Sequence, residues 1–344
     1  MGALLGDAGA MNRALETRFT VPAGVAVVAV LALLLTLTTT ALAGPGTWRT
    51  EWPNTDFSKT SVDLDEIFSG GPPKDGIPSI DDPAFEPVGE TTDLGPKEPV
   101  IGLVIAGDAR AYPLRVLTWH EIVNDVVGGV PVAVTYCPLC NSAIVFDRRV
   151  AGEATAFGTT GKLRNSDLVM YDRATESWWQ QFLGEAIAGE RTGTQLEFIP
   201  ARLESWQRFA ARHPEGKVLV PNNPGLRAYG LNPYAGYDSS PRPFLYRGEM
   251  PEGIEPMARV VRVEDQAWPL ELLRTAGRIE AGDLVLTWET GQNSALDSRR
   301  IDEGRDVGNV TVTRQSSSGT EDVPYDVTFA FVFHAFYPDG TLHR

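Results

Sequence analysis

The sequence predicts a mainly β fold, a β-rich α+β architecture with few short helices, on three observations. The 344-residue chain carries 34 Gly and 25 Pro, a turn-rich composition. Its apolar runs are short and end in turn residues: Val100–Ile105 stops at Gly107-Asp108, then Arg110–Pro113 follows. Val130–Tyr136, Ala143–Phe146, Val310–Thr313 and Val327–Phe333 have the same strand-like form. The clearest helical period lies in Leu203–His213, where Leu203, Trp206, Phe209 and Ala210 share a face and Pro214 stops the helix.

Composition limits the function classes. Hydrophobic residues make up 42% and charged residues 22%, an ordinary globular balance that excludes disorder along the whole chain. The formal net charge is −15, and affinity for a phosphate backbone needs clustered basic residues, so nucleic acid is excluded as a partner. Two cysteines are too few for a disulfide-rich scaffold.

The N-terminal region predicts a membrane partner. Residues 1–20 read as a cytoplasmic tail containing Arg13 and Arg18. Residues 21–43 are uncharged and mostly apolar, near the ~20 residues that span a bilayer. Ala41-Leu42-Ala43 also fits a signal-peptidase site, so the segment serves as a transmembrane anchor or a signal peptide. Either role puts the remainder on the extracytoplasmic side, where a disulfide is permitted. Residues 44–99, rich in Pro, Gly and Asp, read as an extended lead-in with one or two short helices. A first β lobe over 100–254 and a second over 255–344 follow.

The two lobes are related in sequence. Ala111-Tyr112-Pro113-Leu114-Arg115-Val116-Leu117 resembles Ala267-Trp268-Pro269-Leu270-Glu271-Leu272-Leu273. Thr135-Tyr136-Cys137-Pro138-Leu139-Cys140-Asn141-Ser142-Ala143 resembles Thr287-Trp288-Glu289-Thr290-Gly291-Gln292-Asn293-Ser294-Ala295. Two ordered matches point to an internal duplication. The second lobe has Glu289 and Gln292 at the cysteine positions and no counterpart of His120-Glu121. The fold therefore does not need these residues, as expected of a site grafted onto a scaffold.

Cys137-Pro138-Leu139-Cys140 directly follows an apolar strand, and three chemistries fit it. A disulfide staple is the weakest energetically, since closing so short a ring contributes roughly 2 kcal/mol against nearly 5 for a 100-residue loop. Thiol–disulfide exchange would use Cys137 as the attacking thiolate and Cys140 as the resolving thiol. A copper or zinc site would use both thiolates, with His120 as a further ligand. Ala143–Phe146 after the second cysteine looks like a strand, which argues against a thioredoxin-type helix there.

His120-Glu121 precedes the cysteine strand and offers a general base oriented by a carboxylate, with a capping or core histidine as the plain alternative. The motif lacks the second His of a metalloprotease helix. Asn165–Arg173 and Glu176–Gln181 mix aromatics with amides and carboxylates, which line a small-molecule cleft or build a buried hydrogen-bonded corner; the polar ends of Trp and Tyr favour the corner. In the aromatic segment Phe329–Tyr337, His334 shares a face at strand period with Val332 and Phe336.

Several segments together resemble the DUF3179 family of uncharacterised proteins, found in bacteria and haloarchaea. They are Ala111–Leu114, His120–Asp125, Thr135–Cys140, Asp147-Arg148, Tyr171–Arg173, Thr175–Trp178, Gly184–Ala186, Ser205–Pro214 and Phe333–Asp339. The resemblance covers roughly residues 95–340. It implies no activity and no catalytic residues. One departure is Asn141, where the family pattern leads one to expect Gly or a similar residue after the second Cys. The expected site is thus Cys137, Cys140, His120 and Glu121, as a redox centre or, through Cys137, Cys140 and His120, a copper or zinc site; the remaining reading is a substrate-binding or interaction scaffold that uses the Trp178 patch, with the cysteines as a structural disulfide.

Overall fold

The computed structural model describes residues 45–317 and 319–344. Along the chain, β1 (Ile67–Ser69) and β2 (Ala84–Pro87) precede the hairpin of β3 (Pro99–Ile105) and β4 (Asp108–Pro113). The helix Leu114–His120 enters a meander of β5 (Ile122–Val127), β6 (Val130–Cys137) and β7 (Ser142–Asp147). A ribbon of β8 (Arg149–Val150) and β9 (Glu153–Ala154) leads to β10 (Phe157–Arg164), β11 (Asp167–Asp172), β12 (Trp178–Gln180) and β13 (Glu185–Ala188). β14 (Glu197–Ile199) and β15 (Arg202–Ser205) continue through the helix Trp206–Arg212 to β16 (Lys217–Val220). The second lobe holds β17 (Arg259–Val263), β18 (Gln266–Pro269), the helix Leu270–Ala276, β19 (Arg278–Ala281) and β20 (Leu284–Glu289). It closes with β21 (Asn309–Ser316), β22 (Gly319–Asp322), β23 (Asp326–Phe329), the helix Ala330–Phe336 and β24 (Thr341–Leu342).

The sheets confirm a β-rich fold, and the stretches 99–220 and 259–342 share an order of connection. Before residue 255 the strands order as β15-β3-β4-β16-β2, as β14-β7-β6-β5 and, in the sheet that carries Asp167 on β11, as β1-β10-β11-β12-β13. After it they order as β23-β17-β18-β24 and β19-β20-β21-β22. Each lobe starts with an antiparallel hairpin that runs into a seven-residue helix. Each ends with a strand, a seven-residue helix and a strand laid parallel to the second hairpin strand. One core joins Leu103, Leu117, Val134 and Tyr136 to Val261, Trp268, Leu286 and Val312. This burial, not helix propensity, is the main stabilising term.

Several local expectations need correcting. Leu203 lies in β15, opposite Ile101 of β3, and the helix begins only at Trp206. Strand pairing wins there because Leu203 and Glu204 already have partners on β3. The strand expected over Val327–Phe333 ends at Phe329, and Ala330–Phe336 is helical. A fully buried apolar run has no polar face, so its period cannot separate strand from helix. His334 therefore sits in a helix and not on a strand face. The lead-in is also more than an extended arm, because β1 pairs with β10 and β2 with β16. Residues 21–43 lie outside the described residues. Among those described, no helix is long and apolar enough to cross a membrane.

Candidate metal centre

β6 and β7 are buried on both faces, as their continuous apolar sequence requires. Alternation sends Val132, Val134 and Tyr136 into the shared core. It sends Ala133 and Cys137, with Ile144 and Phe146 of β7, into a second cluster on the opposite face. Cys137 pairs with Ser142, so Pro138–Asn141 form the turn between the strands. Cys140 N donates to Cys137 O and Asn141 N to Pro138 O, each at 3.2 Å.

Asn141 closes this turn at φ 51°, in the left-handed region. Asn tolerates that region better than other side-chain-bearing residues, which explains its presence where glycine is expected. Its Nδ2 also donates to Val327 O at 2.7 Å. Thr328 Oγ1 donates to Cys140 O at 2.8 Å, so β23 holds the turn from the other lobe.

A third group arrives from the hairpin of β10 and β11. Arg164 pairs with Asp167 across a two-residue turn. Asn165 and Ser166 both have positive φ, 52° and 67°, the signature of a type I′ turn. The turn tip meets the cysteines: Cys137 Sγ lies 3.8 Å from Ser166 O. Asp167 Oδ2 accepts from Gln180 Nε2 at 2.6 Å and from Phe182 N at 2.9 Å. Asp167 Oδ1 is buried and takes no hydrogen bond from nitrogen or oxygen, and the remaining hydrogen-bonding neighbours of the carboxylate are the Cys140 and Cys137 thiols. A carboxylate oxygen of Asp167 and both Sγ atoms lie within 4.8 Å of one another. Ligands on a tetrahedral zinc ion sit roughly 3.5–4 Å apart, so this set is a slightly expanded version of such a shell.

Of the residues expected from sequence, Cys137 and Cys140 come together, and Glu121 stands beside them. Tyr136 N donates to Glu121 O at 2.8 Å, which sets Glu121 next to the end of β6. His120 is not among the converging groups. Its Nδ1–H donates to Pro78 O at 2.7 Å, which leaves Nε2 to accept from the Tyr229 hydroxyl at 2.8 Å. The ring also stacks on Tyr229. Both nitrogens are thus engaged away from the thiols.

The pair is covered as well as converged. Tyr237, in the long segment 221–258, donates its hydroxyl to Leu139 O at 3.0 Å. Phe244 N donates to the Tyr237 hydroxyl at 3.2 Å, and Ser166 Oγ donates to Phe244 O. Cys140 is 0% and Cys137 2% exposed, and both thiols are free.

Charge is the unusual feature. Burial pushes the Cys137 thiol up and the Cys140 thiol further up, and Asp167 adds to both. Burial also raises Asp167 to about 6 and Glu121 to about 8. The charged neighbours acting on these thiols are carboxylates, which oppose thiolate formation. Buried ionisable groups of one sign must stay protonated or meet a cation.

A family model covers residues 74–340 of this chain, and its description is a protein of unknown function, DUF3179. The chain belongs to the DUF3179 family. Neither the comparison with curated proteins nor that with solved structures gives a match.

In this DUF3179 chain, sequence reasoning missed Asp167 as part of the site. It stood in a patch assigned to a buried corner, and much of that patch is one: Trp178 is fully buried and packs on Trp48, Trp52 and Phe57. The available signal was the Asn165-Ser166 pair, a hairpin turn that ends the strand pair at Asp167.

Proposed function

We propose that this protein is an extracytoplasmic metal-binding module whose centre is held by Cys137, Cys140 and Asp167. The observation that carries the proposal is the Asp167 carboxylate. One of its oxygens is buried and takes no hydrogen bond from nitrogen or oxygen, and the group clusters with two buried thiols. Thiols are weak donors to a buried carboxylate, and a cation shared with two thiolates would replace those protons with a stronger partner. Thiolates with a carboxylate suit zinc-class divalent ions, whereas copper(I) needs only the sulfurs.

Thiol–disulfide exchange has less support. An attacking thiol needs a lowered pKa and access, and here burial and carboxylates oppose both. The basic residues before the apolar segment 21–43 support export, as a membrane-anchored or secreted chain. The shared strand order supports an internal duplication in which only the first lobe carries the centre.

Native mass spectrometry of the full chain, purified without chelator and with its thiols counted, tests the metal reading. One zinc ion per chain is expected, and none in the Cys137→Ser/Cys140→Ser double variant. A metal-free chain lighter by two hydrogens, with an intramolecular disulfide that persists after reduction and zinc addition, would overturn it.

A further inference from the structure

The helices Leu114–His120 and Leu270–Ala276 end in the same backbone turn. Glu121 caps the first at φ 60°, ψ −33°, and Gly277 caps the second at φ 71°, ψ −35°. Glu121 N donates to Leu117 O at 2.7 Å, and Gly277 N to Leu273 O at 2.8 Å. Each carbonyl then accepts from the following hairpin, Glu121 O from Tyr136 N at 2.8 Å and Gly277 O from Trp288 N at 2.9 Å. Glycine is the usual residue at such a left-handed cap, because a Cβ strains it.

The first lobe therefore carries a strained Glu where the second makes the same turn with Gly. The Glu121 side chain gains nothing visible in exchange. It is 7% exposed, its carboxyl makes no hydrogen bond among the described residues, and its charged neighbour is Asp167. Backbone strain kept with a buried, unpartnered acid marks a functional position.

We infer that Glu121 is the fourth ligand of the centre, closing a Cys₂/carboxylate₂ shell that selects a zinc-class divalent cation over copper(I). The inference rests on the metal reading above and deepens it. Glu121 is not among the converging groups Cys137, Cys140 and Asp167, but its carbonyl holds Tyr136 N beside Cys137 at the end of β6, and its carboxyl is near enough to Asp167 and Cys137 to act on both electrostatically. Charge favours the divalent ion: two thiolates and two carboxylates around a monovalent ion leave three negative charges buried, and a divalent ion leaves two. Binding displaces to the buffer whatever protons the two thiols and two carboxyls still carry, and no electron moves.

The test is zinc and copper(I) competition titration of the full chain, comparing wild type with Glu121→Gly and Glu121→Gln. Both variants are expected to lose about 10–100-fold in zinc affinity, with copper(I) affinity within about threefold of wild type. Metal-free Glu121→Gly is expected to melt no lower than wild type, since glycine suits the backbone. Glu121→Gln keeps the side-chain shape and decides the matter if the glycine variant does not fold. Wild-type zinc binding that is unchanged in Glu121→Gln overturns the fourth-ligand inference and leaves the three-residue centre standing. Absence of zinc binding in wild type overturns both.

Discussion

Gln180 donates to Asp167 Oδ2 at 2.6 Å, and this bond leaves Oδ1 as the oxygen that takes no hydrogen bond from nitrogen or oxygen. Gln180 is itself fully buried on β12. A group that orients a metal ligand in this way typically changes affinity when removed. Gln180→Leu is expected to weaken zinc binding by about 10–100-fold while both thiols and Asp167 remain. Competition titration against a chromophoric chelator reads the change, and unchanged affinity would mean that Phe182 N alone holds the carboxylate.

Asn141 separates turn geometry from side-chain bonding. It sits at φ 51° and donates to Val327 O at 2.7 Å. Asn141→Gly relieves strain worth roughly 1 kcal/mol and loses a hydrogen bond of about the same size, so it should be near neutral. Asn141→Ala forfeits the hydrogen bond and meets the full strain, so it should cost about 2 kcal/mol. Urea denaturation of the two variants checks the ordering.

His120 is expected to stay neutral below its ordinary range. Burial lowers its pKa from 6.5, the Pro78 carbonyl acts the other way, and Arg227 lowers it further. With a depressed folded value, the unfolded chain takes the proton first as pH falls. This contribution is therefore complete above about 6.5 and is lost as pH drops through the lower folded value. Denaturation at neutral and mildly acid pH should show a loss of stability that shrinks in His120→Gln. An equal loss in both proteins would assign the acid sensitivity to other groups.

Trp178 is expected to matter for stability and not for ligand capture. It is fully buried, with ring contacts to Trp48 at 5.2 Å, Trp52 at 5.4 Å and Phe57 at 4.9 Å. Trp178→Ala should cost about 3–5 kcal/mol, as large core truncations do. A stable Trp178→Ala protein would restore the case for a binding cleft.

Much of the fold was legible because short apolar runs and glycine turns carry local information. Val130–Tyr136 and Ala143–Phe146 fell within one residue of β6 and β7. The failures share one cause, that long-range pairing outweighs local period. Leu203 joined β15 because β3 was available, and Ala330–Phe336 became helical within an unbroken apolar run. At the centre, the Cys137–Cys140 spacing is a local signal and was readable. Asp167 lies on another sheet, and nothing local connects it to the thiols. His120 was favoured by nearness in sequence, but its ring bonds to Pro78 and Tyr229, while the carbonyl of Glu121 bonds Tyr136 N at the end of β6.

The most direct test of the central claim is X-ray absorption at the zinc edge on the full chain loaded with one equivalent. The account predicts two sulfur ligands at about 2.3 Å and oxygen ligands at about 2.0–2.2 Å, with the sulfur shell lost in the double cysteine variant. A spectrum without sulfur, from oxygen and nitrogen ligands alone, would contradict it.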